Sequence, residues 1–170
     1  MLFRSSFINQ ISNICQSVPE ANIEDVARAI GLDPRIGPLF LNAGPGYGGS
    51  CLPKDVKAII NFSNKIGIKP VLLDAVEAVN RHQLDHLLAT TRKAVGNLRG
   101  KQITVLGLAF KPDTDDIRDS VSIKLIKSLL RLGVKVKAHD PKAIENTRRI
   151  RSEEHTSELQ SQSTISYAVF

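Results

Sequence analysis

The stretch Gly44-Pro-Gly-Tyr-Gly-Gly-Ser-Cys51-Leu-Pro-Lys-Asp55 holds the densest set of residues able to do covalent chemistry. Small and turn-forming residues precede the cysteine, so backbone N–H groups there can approach a ligand closely and converge on it. Pro53 has the φ that a first helical turn requires, and a helix is expected to start near it. Cys51 then lies just before a helix N-terminus, with Lys54 and Asp55 in the first turn. The helix dipole and the Lys54 ammonium both favour the thiolate, which is the nucleophilic form of cysteine. Asp55 is placed to orient Lys54 or to act as a base toward water. An isolated cysteine beside a tight turn is more often a small buried hydrophobe than a nucleophile. The length of the motif around Cys51 favours the reactive reading.

The elements that must position this loop are helical on both sides. Phe7, Ile8, Ile11, Cys15 and Val18 recur at helical spacing, and a second short helix carries Val26, Ala29 and Ile30. Asn22 is suited to cap that helix and Gly31 to end it. Lys54 to Arg99 is helical again, broken at Gly67 and Pro70, with a stripe through Leu72, Ala75, Val76, Val79, Leu84, Leu87, Leu88 and Val95. A helix of that length serves as a dimer contact, a link between domains, or a plain amphipathic core helix. After a polar hinge at 96–101, Ile103–Phe110 reads as a strand, Val121–Leu132 as a helix, and Val134–Ala138 as a second strand ending at Asp140-Pro141. Strand, helix and strand over that length form a βαβ unit with parallel strands. The expected fold class is α/β, a helical segment (1–95) followed by a truncated Rossmann-like βαβ unit (96–150).

Composition narrows the function. The chain has 170 residues, 42% of them hydrophobic and 24% charged, which fits a globular protein. No apolar run is long enough to span a membrane, and the N-terminus lacks the apolar core of a signal peptide. Two cysteines make no disulfide framework, so a reducing, cytoplasmic setting is expected. The net charge of +6 raises the possibility of nucleic acid, but aromatics are only 5% and the cations are scattered, so a small anionic ligand is the better expectation. No metal is expected: Asp113, Asp115 and Asp116 precede a helix, where acids usually cap. His82 and His86 read as one solvated helix face.

Three motifs in order, Asp33-Pro-Arg-Ile-Gly37, the cysteine loop, and Gly107-Leu-Ala-Phe-Lys-Pro-Asp-Thr-Asp-Asp-Ile-Arg118, give the chain its identity. From about Arg4 to Asp140 the sequence resembles the UDP-glucose/GDP-mannose 6-dehydrogenase family. The resemblance implies NAD-dependent oxidation of a nucleotide sugar's C6 alcohol to a carboxylate, with UDP-glucose giving UDP-glucuronate as the leading case. It implies that Cys51 forms a thiohemiacetal and then a thioester, that Asp55 helps water hydrolyse it, and that Lys54 supports the charges. It also implies substrate contacts from Arg35, Asn42, the backbone of Gly46, Tyr47 and Gly48, and from Phe110 and Lys111. Arg118 matches an arginine near the NAD pyrophosphate, and the central helices match a homodimer contact.

No Gly-x-Gly-x-x-Gly dinucleotide fingerprint is expected anywhere in the chain, and Gly107 is a lone glycine after its strand. The family's NAD-binding domain and its helper Lys and Asn are therefore expected to lie outside this chain, which by itself should not reduce NAD. Residues 151–170 are serine-rich and aperiodic, and are expected to be disordered. Arg151–Ser161 and Ile165–Phe170 resemble an in-frame translated sequencing adapter, with Gln162–Thr164 in its index. Two competing readings are a nucleotide-sugar-binding or dimerisation module without catalysis, and a cysteine hydrolase with His82 or His86 as base. The latter is disfavoured because either histidine would have to fold back from the long helix.

Overall fold

The computed structural model describes residues 2–154, which divide into two compact units. The first comprises the chain up to Tyr47 together with Cys51–Leu87, and the second comprises Gly48–Ser50 and the chain from Leu88 onward.

The first unit is helical. It contains α1 (Leu2–Cys15), α2 (Ile23–Gly31), α3 (Leu52–Lys65) and most of α4 (Val71–Val95). Asn22 caps α2 as its sequence suggests, its Oδ1 accepting from the Glu24 N–H at 2.8 Å. Little apolar surface is buried here: Ile8, Leu41, Val56 and Val76 are the deeply buried hydrophobic residues. Buried polar side chains tie the helices instead. The Ser6 hydroxyl donates to the Val76 carbonyl at 3.2 Å, and the Asn13 amide donates to Gln83 Oε1 at 2.8 Å. The apolar stripe expected on α4 forms on a helix: Val76 is buried and Val79, Leu84, Leu87 and Leu88 are half-buried, while Leu72, Ala75 and Val95 near its ends stay exposed. Phe3, Phe7 and Ile14 on α1, and Ile59, Phe62 and Ile66 on or just after α3, are also exposed.

The second unit is a βαβ unit with one further helix. Strand β1 (Gln102–Leu106) pairs in parallel with β2 (Lys135–His139), Gln102 opposite Lys135 and Leu106 opposite His139, and α5 (Val121–Arg131) makes the crossover. Strand β1 is shorter than the expected Ile103–Phe110. Gly107, at φ +87, turns the chain, and the Leu108 and Ala109 N–H groups then bond a carboxylate rather than a strand. The core here is continuous: Leu98, Val105, Leu108, Leu129, Val134, Val136 and Ile144 are buried together. Each large aliphatic chain in it contributes roughly 1.5–3 kcal/mol. Helix α6 (Ile144–Glu154) was not legible, because apart from Ile144 and Ile150 its positions are polar or charged. It runs four residues into the segment expected to be disordered, so that expectation fails for 151–154. The rest of that segment lies outside the described residues. Among the described residues no helix is long and apolar enough to cross a membrane.

Candidate active site

Cys51 is the N-cap residue of α3, with no side-chain capping bond, and its residue is exposed. Pro53 lies in the first helical turn and is buried, which fixes where the helix begins. The Asp55 N–H donates to the Cys51 carbonyl at 2.9 Å, closing that turn. Lys54 Nζ lies 3.4 Å from Asp55 Oδ1, both side chains largely in solvent. The expected trio is therefore brought together at one helix N-terminus.

The glycine segment before Cys51 is framed by side-chain amides. In the first unit the Gly44 N–H donates to Asn9 Oδ1 at 2.8 Å, and Gln83 Nε2 donates to the Gly44 carbonyl at 2.8 Å. Asn80 grips Tyr47 twice, accepting from its N–H at 2.7 Å and donating to its carbonyl at 3.1 Å. The Tyr47 hydroxyl donates to Glu77 Oε1 at 2.9 Å. Gly46 has φ +107, and a Cβ there would stand 2.7 Å from Asn80 Oδ1, so only glycine lets the clamp close. The Tyr47 amide, expected to face a ligand, is thus taken by Asn80. That corrects its role: Asn80 already satisfies its one donor.

Gly48 and Gly49 belong to the second unit. A Cβ on Gly48 would collide with the Asp119 carbonyl, and one on Gly49 would stand 2.7 Å from the Phe110 ring. The Gly49 N–H donates to the Arg118 carbonyl at 3.1 Å. Gly44, Gly46 and Gly49 keep dinucleotide-fingerprint spacing, but no strand leads into them, so they do not form that motif. Lys111 Nζ sits 5.3 Å from the Phe110 ring centroid in a cation–π contact, both residues lying on the loop that follows β1.

Both candidate arginines are held the same way. Asp33 accepts from the Arg35 backbone N–H at 2.9 Å and from its guanidinium at 2.6–3.2 Å. Asp116 accepts from the Arg118 N–H at 2.9 Å and from its guanidinium at 2.6–3.0 Å. The Arg35 side-chain bond holds the Asp33 carboxyl below its usual value and raises Arg35. The Arg118 bond holds Asp116 at about 2. Both arginine side chains remain mostly in solvent, at 87% and 70% exposure, so each presents an ordered cation. Asn42 is exposed.

The residue least expected from sequence is Asp140. Its carboxylate is buried and accepts four backbone N–H bonds, from Leu108 and Ala109 on one oxygen and from Lys142 and Ala143 on the other, at 2.7–3.1 Å. Burial opposes its ionisation, and the four donors overcome that and hold it at about 2. The Ser120 hydroxyl donates to the Leu108 carbonyl at 2.7 Å. Together they fix the loop that carries Phe110 and Lys111. Asn80 and Gln83 also escaped the sequence reading, although a signal existed: they continue the face of Val76 at i+4 and i+7. Asp33 and Asp116 were legible only as the repeated Asp-x-Arg. Among the described residues no group of three or more metal-ligating side chains gathers, and His86 is engaged by Gln16 Oε1 at 2.9 Å.

Comparison with known proteins follows the same division. Residues 2–82 match the UDP-glucose/GDP-mannose dehydrogenase family, central domain, and residues 104–169 match that family's UDP binding domain. The second match continues through residues that the adapter reading sets aside. A UDP-glucose 6-dehydrogenase of Rhizobium meliloti (strain 1021) is 44% identical across 88% of this chain and 34% of its own length. Thus the chain spans about a third of the length of this curated relative. The solved UDP-glucose dehydrogenase of Pyrobaculum islandicum aligns with TM-score 0.84 at 38% identity, over 88% of this chain and 34% of that one. A solved GDP-mannose dehydrogenase from Pseudomonas aeruginosa aligns with TM-score 0.62 at 26% identity, over 89% and 35%. These matches, which together cover most of both units, make the chain a member of the UDP-glucose/GDP-mannose dehydrogenase family.

Proposed function

We propose that this chain carries the nucleophile and part of the nucleotide-sugar site of a UDP-glucose 6-dehydrogenase, taking the C6 alcohol to a carboxylate. The observation that carries the reading is Cys51 at the N-cap of α3, exposed, with Lys54 and Asp55 in the turn it starts. The Cys51 thiolate adds to the C6 aldehyde to form a thiohemiacetal. Loss of hydride from that carbon leaves a thioester, and a covalent step of this kind divides one difficult oxidation into two easier ones. Asp55 takes a proton from the attacking water, and hydrolysis returns the thiol and releases the carboxylate. Lys54, paired to Asp55, supports the negative charge that develops on oxygen.

Bound NAD would accept the hydrides, two per sugar. Of the residues present, Arg118 suits it, because Asp116 orders its exposed guanidinium, whose planar fork fits phosphate oxygens. On the sugar nucleotide, Lys111 and Arg35 are the cations offered to the diphosphate, and Asn42, Gly46 and Gly48 the neighbours of the sugar. The greater likeness to UDP-glucose than to GDP-mannose dehydrogenases supports UDP-glucose as substrate. The uncovered apolar chains of α1, α3 and α4 support a homodimer through the helical unit.

Iodoacetamide distinguishes this from a binding module without catalysis. Cys51 should alkylate about tenfold or more faster than Cys15 near neutral pH, by peptide mass spectrometry, and UDP-glucose should slow it. Equal rates at the two cysteines would sink the nucleophile assignment.

A further inference from the structure

The second unit has two ends. Phe110, Lys111 and the acidic stretch Asp113–Asp119 follow the C-terminal end of β1, where open parallel sheets receive their ligands. At the opposite end, before β1 and β2, lies a cavity of about 340 Å³ lined by Arg92, Gly96, Asn97, Leu98, Arg99 and Leu132. No acidic residue lines it. None occurs from Leu88 to Pro112, a stretch with Arg92, Lys93, Arg99, Lys101 and Lys111. None occurs from Ser120 to His139 either, where Lys124, Lys127, Arg131, Lys135 and Lys137 stand. Neither Arg92 nor Arg99 has a carboxylate partner among the described residues.

Cations at helix C-termini offset the helix dipole, which accounts for Lys93 and Arg131 at the ends of α4 and α5 and contributes for Arg92, although Arg92 also lines the cavity. Arg99 is different. It lies on the loop to β1, where the Asn97 side chain accepts from its backbone N–H at 3.1 Å and its stem runs along Gly133, whose Cβ would be 3.2 Å from Arg99 Cγ. The Gly100 N–H donates to the Gly133 carbonyl at 2.8 Å, pinning that loop to the start of β2. Leu98, 3% exposed, anchors the floor.

We propose that this pocket binds a polyphosphate anion, Arg92 and Arg99 pairing with its oxygens, at a site separate from the Phe110–Lys111 loop. Guanidinium forks suit phosphate geometry, and the cavity volume falls at the small end of ligand pockets. Nucleic acid fits less well, because Phe110 is the sole Phe, Tyr or Trp from Leu88 to His139 and it lies at the other end.

Inorganic pyrophosphate titrated into the ¹⁵N-labelled chain at low salt tests this. The amide resonances of Gly96, Asn97 and Arg99 should shift saturably with one Kd. Arg92→Gln and Arg99→Gln should each weaken binding about tenfold, and Lys93→Gln, outside the pocket, less than about twofold. ADP binding the same resonances more tightly assigns the anion to a nucleotide, and equal binding assigns it to free polyphosphate. Shifts confined to the Phe110–Lys111 loop, no saturation, or Lys93→Gln matching Arg92→Gln would overturn the proposal. So would displacement of pyrophosphate by a far tighter single-stranded oligonucleotide.

Discussion

Two loops carry the residues argued to meet substrate, and they are framed by opposite chemistry. In the helical unit Gly44 and Tyr47 are held by Asn9, Asn80 and Gln83, neutral amides that both donate and accept. In the βαβ unit Leu108 and Ala109 are held by Asp140, a carboxylate that accepts only. The difference follows from what each loop must satisfy. Gly44 and Tyr47 each present both an N–H and a carbonyl; Asn80 matches both of Tyr47's at once, and Asn9 and Gln83 divide those of Gly44. At Asp140 four N–H groups converge, and a carboxylate supplies acceptors to all of them. The backbone bonds of one frame are therefore made by groups that do not titrate, and those of the other by one that does.

The largest test of that contrast is Asp140→Ala, which strands four backbone donors and should cost roughly 4 kcal/mol of stability in denaturant titration. Asp140→Asn should cost less, since one acceptor survives, while its amide hydrogens face two of the donors. Wild-type stability near that variant's would show that water replaces the carboxylate.

Acid sharpens the comparison next. Asp140 has a folded value of about 2 against 3.8 ordinarily, so its stabilisation is complete above pH 3.8 and is lost as pH falls through about 2. The loss should approach 2 kcal/mol, an order of magnitude from the size of the depression. NMR at stepped pH should show Leu108 and Ala143 amides disturbed across that window and the Gly44 and Tyr47 amides unmoved.

Asn80→Ala should cost about 1–2 kcal/mol and release Tyr47, raising the exchange rate of its amide. Asn80→Asp keeps the acceptor but loses the donor to the Tyr47 carbonyl, and should fall between. The smallest effect is expected at the two Asp-x-Arg clips. Asp33→Asn and Asp116→Asn should leave the melting temperature nearly unchanged, because these are exposed pairs. They should broaden the Nε–H resonances of Arg35 and Arg118 respectively, and sharp resonances in the variants would show that the guanidiniums are ordered by something else.

Much of the fold was legible because local signals agreed. Asn22 before a short amphipathic run, Pro53 at a helix start, and alternation of strand, helix and strand each specify their element with few long-range partners. The boundary of β1 was not, because Leu108–Phe110 has strand-like composition and is diverted by a carboxylate more than thirty residues away. The cysteine, lysine and aspartate at the start of α3 were legible from spacing alone. The role of the Tyr47 amide was misjudged for the same reason as the strand: its partner, Asn80, lies on another helix.

The amino-acid sequence by itself determined the family, the helix carrying Cys51 and the parallel pairing of β1 with β2, since these rest on contiguous motifs and period. Tertiary structure alone decided which loop amides are already spent. It also decided that a buried aspartate holds the loop carrying Phe110 and Lys111, and that Arg92 and Arg99 line one cavity before the strands. Such facts depend on groups distant in the chain meeting at hydrogen-bond distance, and no local pattern encodes that meeting.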